Sequence, residues 1–266
     1  KRPSANLQPM STFKGKHILV TGGVKGIGRG TVDVFVREGG LVSVLDLDSA
    51  GLELEKVHRG NVRFYSCNVA DHTQVKACVT QVIEGFGDID VLVNNAGIQR
   101  YASVTQSTEE EWDMVMNVNL KSAFLVSKYV IPSMQRKHAG VIVNVSSVQA
   151  FLSQQVVAAY TTSKTGLLGL TRSIAVDYAP AIRCVAVCPG TIDTPMLQQA
   201  IHESPDPVAV YRECQDMHLV KKVGSAVEVG EFIAFLASSK ASFITGQAYR
   251  IDGGLGVTIA GSKRSE

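Results

Sequence analysis

Short apolar runs rich in β-branched residues recur at 17–20, 41–45, 62–65, 91–93, 141–145, 183–187 and 247–251, each the length of one buried strand. Between them, at 27–37, 70–85, 108–135, 156–177 and 226–237, apolar residues return every three or four positions, as on one face of a helix. Ser107 and Thr108 ahead of Glu109, Glu110 and Glu111 give the third of these helices a cap and an acidic first turn. Gly85 and Gly87 close the second. Strands alternating with helices predict an α/β chain: a single-domain, doubly wound Rossmann fold whose seven-stranded parallel sheet is flanked by helices. Right-handed crossovers place ligands at the carboxyl ends of the strands, where strand order reverses, so the chemistry is sought just after strands.

Composition narrows the partners. Of 266 residues 45% are apolar and 19% charged, enough for one full core, and no Pro/Gly/Ser-rich stretch reads as a linker. Residues 11–257 are therefore expected to form one catalytic domain, with a tail at 1–10, which holds two prolines and no periodicity, and another at 258–266. The net charge of +2, from 26 basic and 24 acidic residues, is spread along the chain, so nucleic acid and an anionic membrane are not expected as partners. A small polar molecule is. Cys67, Cys78, Cys184, Cys188 and Cys214 form no CxxC pair, which favours a reducing, cytoplasmic setting. The six histidines show no HExxH spacing, so no catalytic metal is expected. No apolar run approaches the roughly 18 residues of a membrane span.

The first strand runs into Thr21-Gly22-Gly23-Val24-Lys25-Gly26-Ile27-Gly28, a glycine-rich turn that opens a helix. Backbone comes close to a pyrophosphate only where Cβ is absent, and the helix N-terminus adds N–H donors and a favourable dipole. A lone glycine pattern is also what any tight turn needs; the strand before it, the helix after it and an acid downstream add weight. That acid is Asp46, at the end of the second strand, where a carboxylate accepts from ribose hydroxyls and repels a 2′-phosphate, favouring NAD over NADP. Lys25 pulls the other way as a cation beside the turn, and a fixed strand-end carboxylate is ranked above a flexible lysine.

Tyr160 and Lys164 lie four residues apart at the start of the helix after the fifth strand, on one face. A phenol with a pKa of about 10 is a poor base near neutrality, and a neighbouring ammonium favours the phenolate. Taken alone, such a pair is also a half-buried tyrosine beside a surface lysine.

With these motifs in order, the sequence resembles the short-chain dehydrogenase/reductase superfamily over nearly all of residues 14 to 254. The family's TGxxxGxG turn matches Thr21 to Gly28, its NNAG matches Asn94, Asn95, Ala96 and Gly97, its VNL asparagine matches Asn119, and its catalytic serine falls on Ser147, thirteen residues before Tyr160. The resemblance implies that Ser147 holds the substrate oxygen, Tyr160 exchanges its proton, Lys164 binds the nicotinamide ribose and Asn119 helps to hold a proton-relaying water. Ser146 is the structural neighbour with which Ser147 is most easily confused. The PGxxxTP segment matches Pro189, Gly190, Thr191, Ile192, Asp193, Thr194 and Pro195, whose backbone and Thr194 hydroxyl would hold the carboxamide. Asn68 and Val69 replace the usual Asp-Val contact to adenine, keeping an acceptor without its charge. Val185 stands where the family usually has Asn. Thr245-Gly246-Gln247 and Asp252-Gly253-Gly254 match the C-terminal strand and turn, which implies a homotetramer.

Substrate identity in this family follows the loop after the Pro-Gly segment and the residues around the tetrad. Here that loop, about 196–218, carries His202, Glu203, Asp206, Arg212, Glu213, Asp216 and His218, whereas a sterol would want a largely apolar lid. Gln99, Arg100, Gln149, Gln154 and Gln155 surround the tetrad, and such amide density suits a polyhydroxylated ligand, although each is as readily a residue facing water. Gln99, Gln149 and Gln155, with Ser147 and Tyr160, are the expected substrate contacts, and Arg100 or Glu203 a further one. The stretch from Asp177 to Pro180 and on to Pro195, with Ser147 to Ala150, particularly resembles microbial aldose dehydrogenases. The reading is therefore NAD-dependent oxidation of an aldose at C1 to the lactone. The alternatives are another secondary alcohol, such as a hydroxysteroid or polyol, and more remotely a nucleotide-binding regulator without turnover.

Overall fold

A computed structural model describes residues 12–257; the tails expected at 1–10 and 258–266, and residue 11, lie outside the described residues. Seven strands form one parallel sheet: β1 (His17–Thr21), β2 (Leu41–Asp46), β3 (Val62–Ser66), β4 (Val91–Asn94), β5 (Gly140–Val145), β6 (Ile182–Pro189) and β9 (Ala248–Ile251), in the order β3-β2-β1-β4-β5-β6-β9. Both faces are covered, so the central strands bury every residue: His17 to Thr21 and Val91 to Asn94 lie wholly inside. The order reverses between β1 and β4, and the cleft opens at their carboxyl ends. This is the seven-stranded Rossmann fold that the alternation predicts.

Five helices run near their predicted places. They are α1 (Gly26–Arg37), α3 (His72–Phe86), whose cap Asp71 accepts from Thr73 and Gln74, α6 (Ala158–Tyr178) and α9 (Ala226–Ala237), opened by a Ser225–Glu228 capping box, with the predicted 108–135 helix as the fifth. That helix divides. It begins as α4 (Glu109–Met116), widens into a π-helical turn at Asn117–Lys121 and continues as α5 (Ser122–Lys137). The extra residue of a π turn shifts the helical phase locally, and such turns collect at functional sites; this one carries Asn119.

Three helices were not predicted. The short α2 (Gly51–Val57) lies between β2 and β3, where Gly51 has no room for a Cβ beside the Phe64 ring. The segment after β6 is helical rather than an irregular loop: α7 (Pro195–His202) and α8 (Pro207–Asp216) form a lid. They are flanked by the two-residue strands β7 (Ile192–Asp193) and β8 (Gly224–Ser225), which pair with each other. Both lid helices start with a side-chain cap followed by proline, Thr194-Pro195 and Asp206-Pro207.

Candidate active site

The cleft over β1 and β4, of about 400 Å³, is lined along its length by the glycine turn, Asp46, Asn68, Val69, the 95–98 segment, Tyr160 and Lys164. Its floor is fixed by Thr21 and Asn95. The Thr21 hydroxyl accepts from the Asn95 and Ala96 N–H groups at 3.0 and 3.1 Å, and Asn95 Nδ2 donates to the Thr21 and Gly22 carbonyls at 3.0 and 2.9 Å. Asn95 is thus a strut between two strand ends as well as a lining residue. Gly22 and Gly26 have φ of +64° and +54°, and a Cβ on Gly28 would sit 2.0 Å from the Gly22 carbonyl oxygen. Gly28→Ala is accordingly expected to cost about 1–3 kcal/mol of stability through overpacking. Thermal denaturation checks it, and an unchanged Tm would contradict this packing.

Lys25, the residue ahead of α1, gives the helix no side-chain cap, so its first N–H groups face the cleft as donors for an anion. Beside this turn, at the carboxyl end of β2, Asp46 accepts from the N–H groups of Val24 (3.1 Å) and Asp48 (3.0 Å), which fixes its carboxylate against the cleft. Asn68 Oδ1 accepts from the Ala70 N–H at 3.1 Å, so the acceptor expected to meet adenine already holds its own turn. A bare turn, an open helix end and a strand-end carboxylate in one cleft fit a dinucleotide.

Tyr160 and Lys164 project from one face of α6 into this cleft, with the ammonium 5.6 Å from the phenol ring centroid. Lys164 is buried, donates to the Val145 carbonyl at 2.9 Å, and is pulled down to about 8, chiefly by its burial. The phenol lies above its ordinary value: burial raises it most, and the hydrogen bond with Ser147 offsets only part of that. The ammonium expected to depress it donates to the Val145 carbonyl and does not outweigh that burial. Ser147 faces the phenol and caps a short 3₁₀ turn, whereas the Ser146 hydroxyl donates to the Lys164 carbonyl at 2.7 Å. Asn119 is buried; its Oδ1 accepts from the Ile98 N–H (2.8 Å), and its Nδ2 donates to the Ile98 carbonyl (2.9 Å) and to Ser163 (3.1 Å).

A second chamber of about 480 Å³ adjoins the first across Tyr160. Pro189, Gly190 and Ile192 line it, Thr194 lines both chambers and caps α7, and Val185 is buried in β6. Its polar wall holds Gln99, Ser147, Gln149, Gln154 and Thr191. Gln155 is exposed and absent from the lining; its neighbour Gln154 stands there and accepts from Gln149 Nε2 at 3.0 Å. Arg100 and Glu203 are exposed and also outside it. The lid turns an apolar face inward, through Met196, Leu197, Ile201, Val210 and Met217, while its charged residues face away. Charges counted along 196–218 therefore do not describe the chamber, because an amphipathic helix shows it only one face.

His218, grouped by sequence with those lid charges, is buried instead. Its Nδ1 donates to the Cys214 carbonyl at 2.7 Å and its Nε2 accepts from the Thr191 N–H at 3.2 Å, pinning the end of α8 to the turn after β6. A Cβ on Gly190 would meet that Nε2 at 2.9 Å. Only the fold brings these three residues together. Among the described residues no group of three or more His, Cys, Asp or Glu is placed to hold a metal, and no helix is long and apolar enough to cross a membrane.

The family model described as enoyl-(acyl carrier protein) reductase matches residues 22–256. A 3-oxoacyl-(acyl-carrier-protein) reductase of Thermotoga maritima is 42% identical over 249 residues, covering 91% of this chain and 98% of the relative. The chain is a short-chain dehydrogenase/reductase. Among solved structures, the aldohexose dehydrogenase of Thermoplasma acidophilum superposes with a TM-score of 0.89 at 38% identity, covering 96% of this chain and 99% of that one. A levodione reductase superposes equally well, with a TM-score of 0.89 at 33% identity and 93% and 100% coverage. As a short-chain dehydrogenase/reductase the protein is an oxidoreductase of the nicotinamide-dependent kind, acting on a small molecule.

Proposed function

We propose that the enzyme oxidises a cyclic aldose at C1 to the lactone, using NAD. The observation that carries this reading is Gln149: its Oε1 is buried at the chamber and has no protein partner. A buried acceptor without a donor costs about 1–3 kcal/mol, and a turn of the amide toward the chamber, where a substrate hydroxyl can meet it, removes that cost. Gln99 and Gln154 add polar groups on the same wall, and the similarity to an aldohexose dehydrogenase supports the same class. The apolar inner face of the lid favours a second reading, a less polar ring alcohol or ketone, in line with the levodione reductase.

When bound, a nicotinamide supplies hydride exchange with the reacting carbon. Ser147 holds the substrate oxygen beside the phenol, and Tyr160 takes the hydroxyl proton as the alcohol becomes a carbonyl, or returns it in reduction. Lys164 reaches the ribose from the floor of the cleft. Asn119 keeps Ile98 and the π turn in register beside it and serves the proton relay. Asp46, held rigid by two N–H donors, accepts from the adenosine ribose hydroxyls and repels a phosphate there, which supports NAD over NADP. Exposed Phe235 and Phe243 near the last strand, and Met114 and Phe124 on α4 and α5, support the homotetramer as the working assembly. A cytoplasmic setting is part of the same reading, supported by five free cysteines, all buried.

Gln149→Ala tests the substrate assignment. It is expected to lower kcat/KM for the best aldose by about 3- to 10-fold, one net hydrogen bond, and to move the NADH Kd by less than about twofold. Equal loss of cofactor and sugar affinity, or no loss of either, would reject the contact.

A further inference from the structure

Beside Asp46 the adenosine end of the cleft holds a second carboxylate, Asp48, and a lysine, Lys25. Among the described residues of the lining, Lys25, Asp46, Asp48 and, at the far end, Lys164 carry formal charge. Asp48 follows Asp46 by two residues, and its carboxylate is anchored from the backbone: Oδ1 accepts from the Ala50 N–H at 2.9 Å. Its other oxygen lies 2.5 Å from Lys25 Nζ. The lysine side chain is 63% exposed and the aspartate side chain 31%, so a flexible cation rests on a fixed anion. Their mutual hydrogen bond is the largest influence on both groups, raising the ammonium and lowering the carboxyl from their ordinary values. Among the described residues Asp48 is the one ion-pair partner of Lys25; Asp46 acts on the ammonium more weakly through space, and Arg29 and Asp33 further along α1 pair with each other.

A 2′-phosphate carries close to two negative charges and needs a cation with free donors. Lys25 is the cation that stands within the cleft at that end, and its ammonium already sits on Asp48. We propose that Asp48 is a specificity-determining residue: by holding Lys25, it withholds the cation that would otherwise pair with the phosphate of NADP, so that Asp46 is left unopposed. This rests on the NAD reading above in placing the adenosine ribose against Asp46. Two acids therefore reject NADP by different means. Asp46 repels the phosphate directly, and Asp48 occupies its partner.

The proposal is separable from simple charge repulsion, because its effect must pass through Lys25. Asp48→Asn keeps the acceptor for Ala50 and loses the charge; a half-exposed ion pair contributes little to stability, so the variant folds as the parent does. NADPH and NADH are titrated by fluorescence against the parent, Asp48→Asn, Lys25→Met and the double variant, with melting curves as the folding check. Asp48→Asn is expected to tighten NADPH by about tenfold, the scale of one charge-assisted contact, and to change NADH by less than about twofold. In the Lys25→Met background the same substitution is expected to change NADPH by no more than about twofold. An equal gain in both backgrounds would overturn the proposal in favour of repulsion alone, and no gain in either would overturn it outright. Parent affinity for NADPH equal to that for NADH, and lost in Lys25→Met, would show Lys25 free to bind and would also overturn it. The same equality persisting in Lys25→Met would overturn the NAD reading instead.

Discussion

Tyr160→Phe is expected to bind NADH as the parent does and to lose turnover by at least about 10²–10⁴-fold, the usual worth of a positioned acid or base. The substitution keeps the ring at the junction of the two chambers and removes only the hydroxyl that faces Ser147. Because burial holds the phenol above its ordinary value, Tyr160 carries its proton near neutrality. The sign of the pH dependence follows. Oxidation needs the deprotonated phenol, so kcat/KM for the alcohol rises as pH increases through the neutral and alkaline range, whereas reduction, which needs the proton Tyr160 already carries, stays level near neutrality and falls only in the alkaline range where the phenol ionises. Steady-state rates in both directions check this, and a Phe variant with most of the parent activity would reject the assignment.

Lys164→Met is expected to lower kcat by about 10²-fold, the scale of a preorganised charge beside the reacting group, and to weaken NADH as well. Its ammonium stands between the Val145 carbonyl and the Tyr160 ring, close to Gly97, where an added Cβ would meet it at 3.3 Å. Held at about 8 by its burial, it is still mostly protonated at neutral pH. Removing that cation makes phenolate harder to form, so the alkaline rise in oxidation moves to higher pH. The combination separates this position from a ribose contact alone, which would raise the cofactor Kd and leave the pH profile in place. Parent kcat with an unmoved profile would contradict it.

Much of this site is legible along the chain because its parts are local. The glycine turn, the acid ending β2 and the Tyr160–Lys164 pair each depend on residues within one turn or one strand end. The lid is less legible for a different reason: charges strung along 196–218 do not say which face of a helix they occupy. Thr194-Pro195 and Asp206-Pro207 are cap-then-proline starts, and Leu197 and Ile201 are one turn apart, so two amphipathic helices were readable there. Gln154 and Gln155 could not be told apart, since in an irregular stretch neighbouring side chains point different ways and no periodicity says which enters the chamber. The π turn at Asn119 was equally hidden, because the apolar pattern continues across it and only the phase changes. His218 depended on a contact between residues 191, 214 and 218 that topology alone creates.

The account is tested most directly by nicotinamide absorbance with NAD⁺ across aldoses, polyols, hydroxysteroids and simple cyclic alcohols, run beside the Tyr160→Phe variant. It predicts that at least one aldose is oxidised to its lactone, that hydroxysteroids are not turned over, and that the signal disappears in the Phe variant. Turnover of a hydroxysteroid or an apolar cyclic alcohol with no aldose oxidised would contradict it.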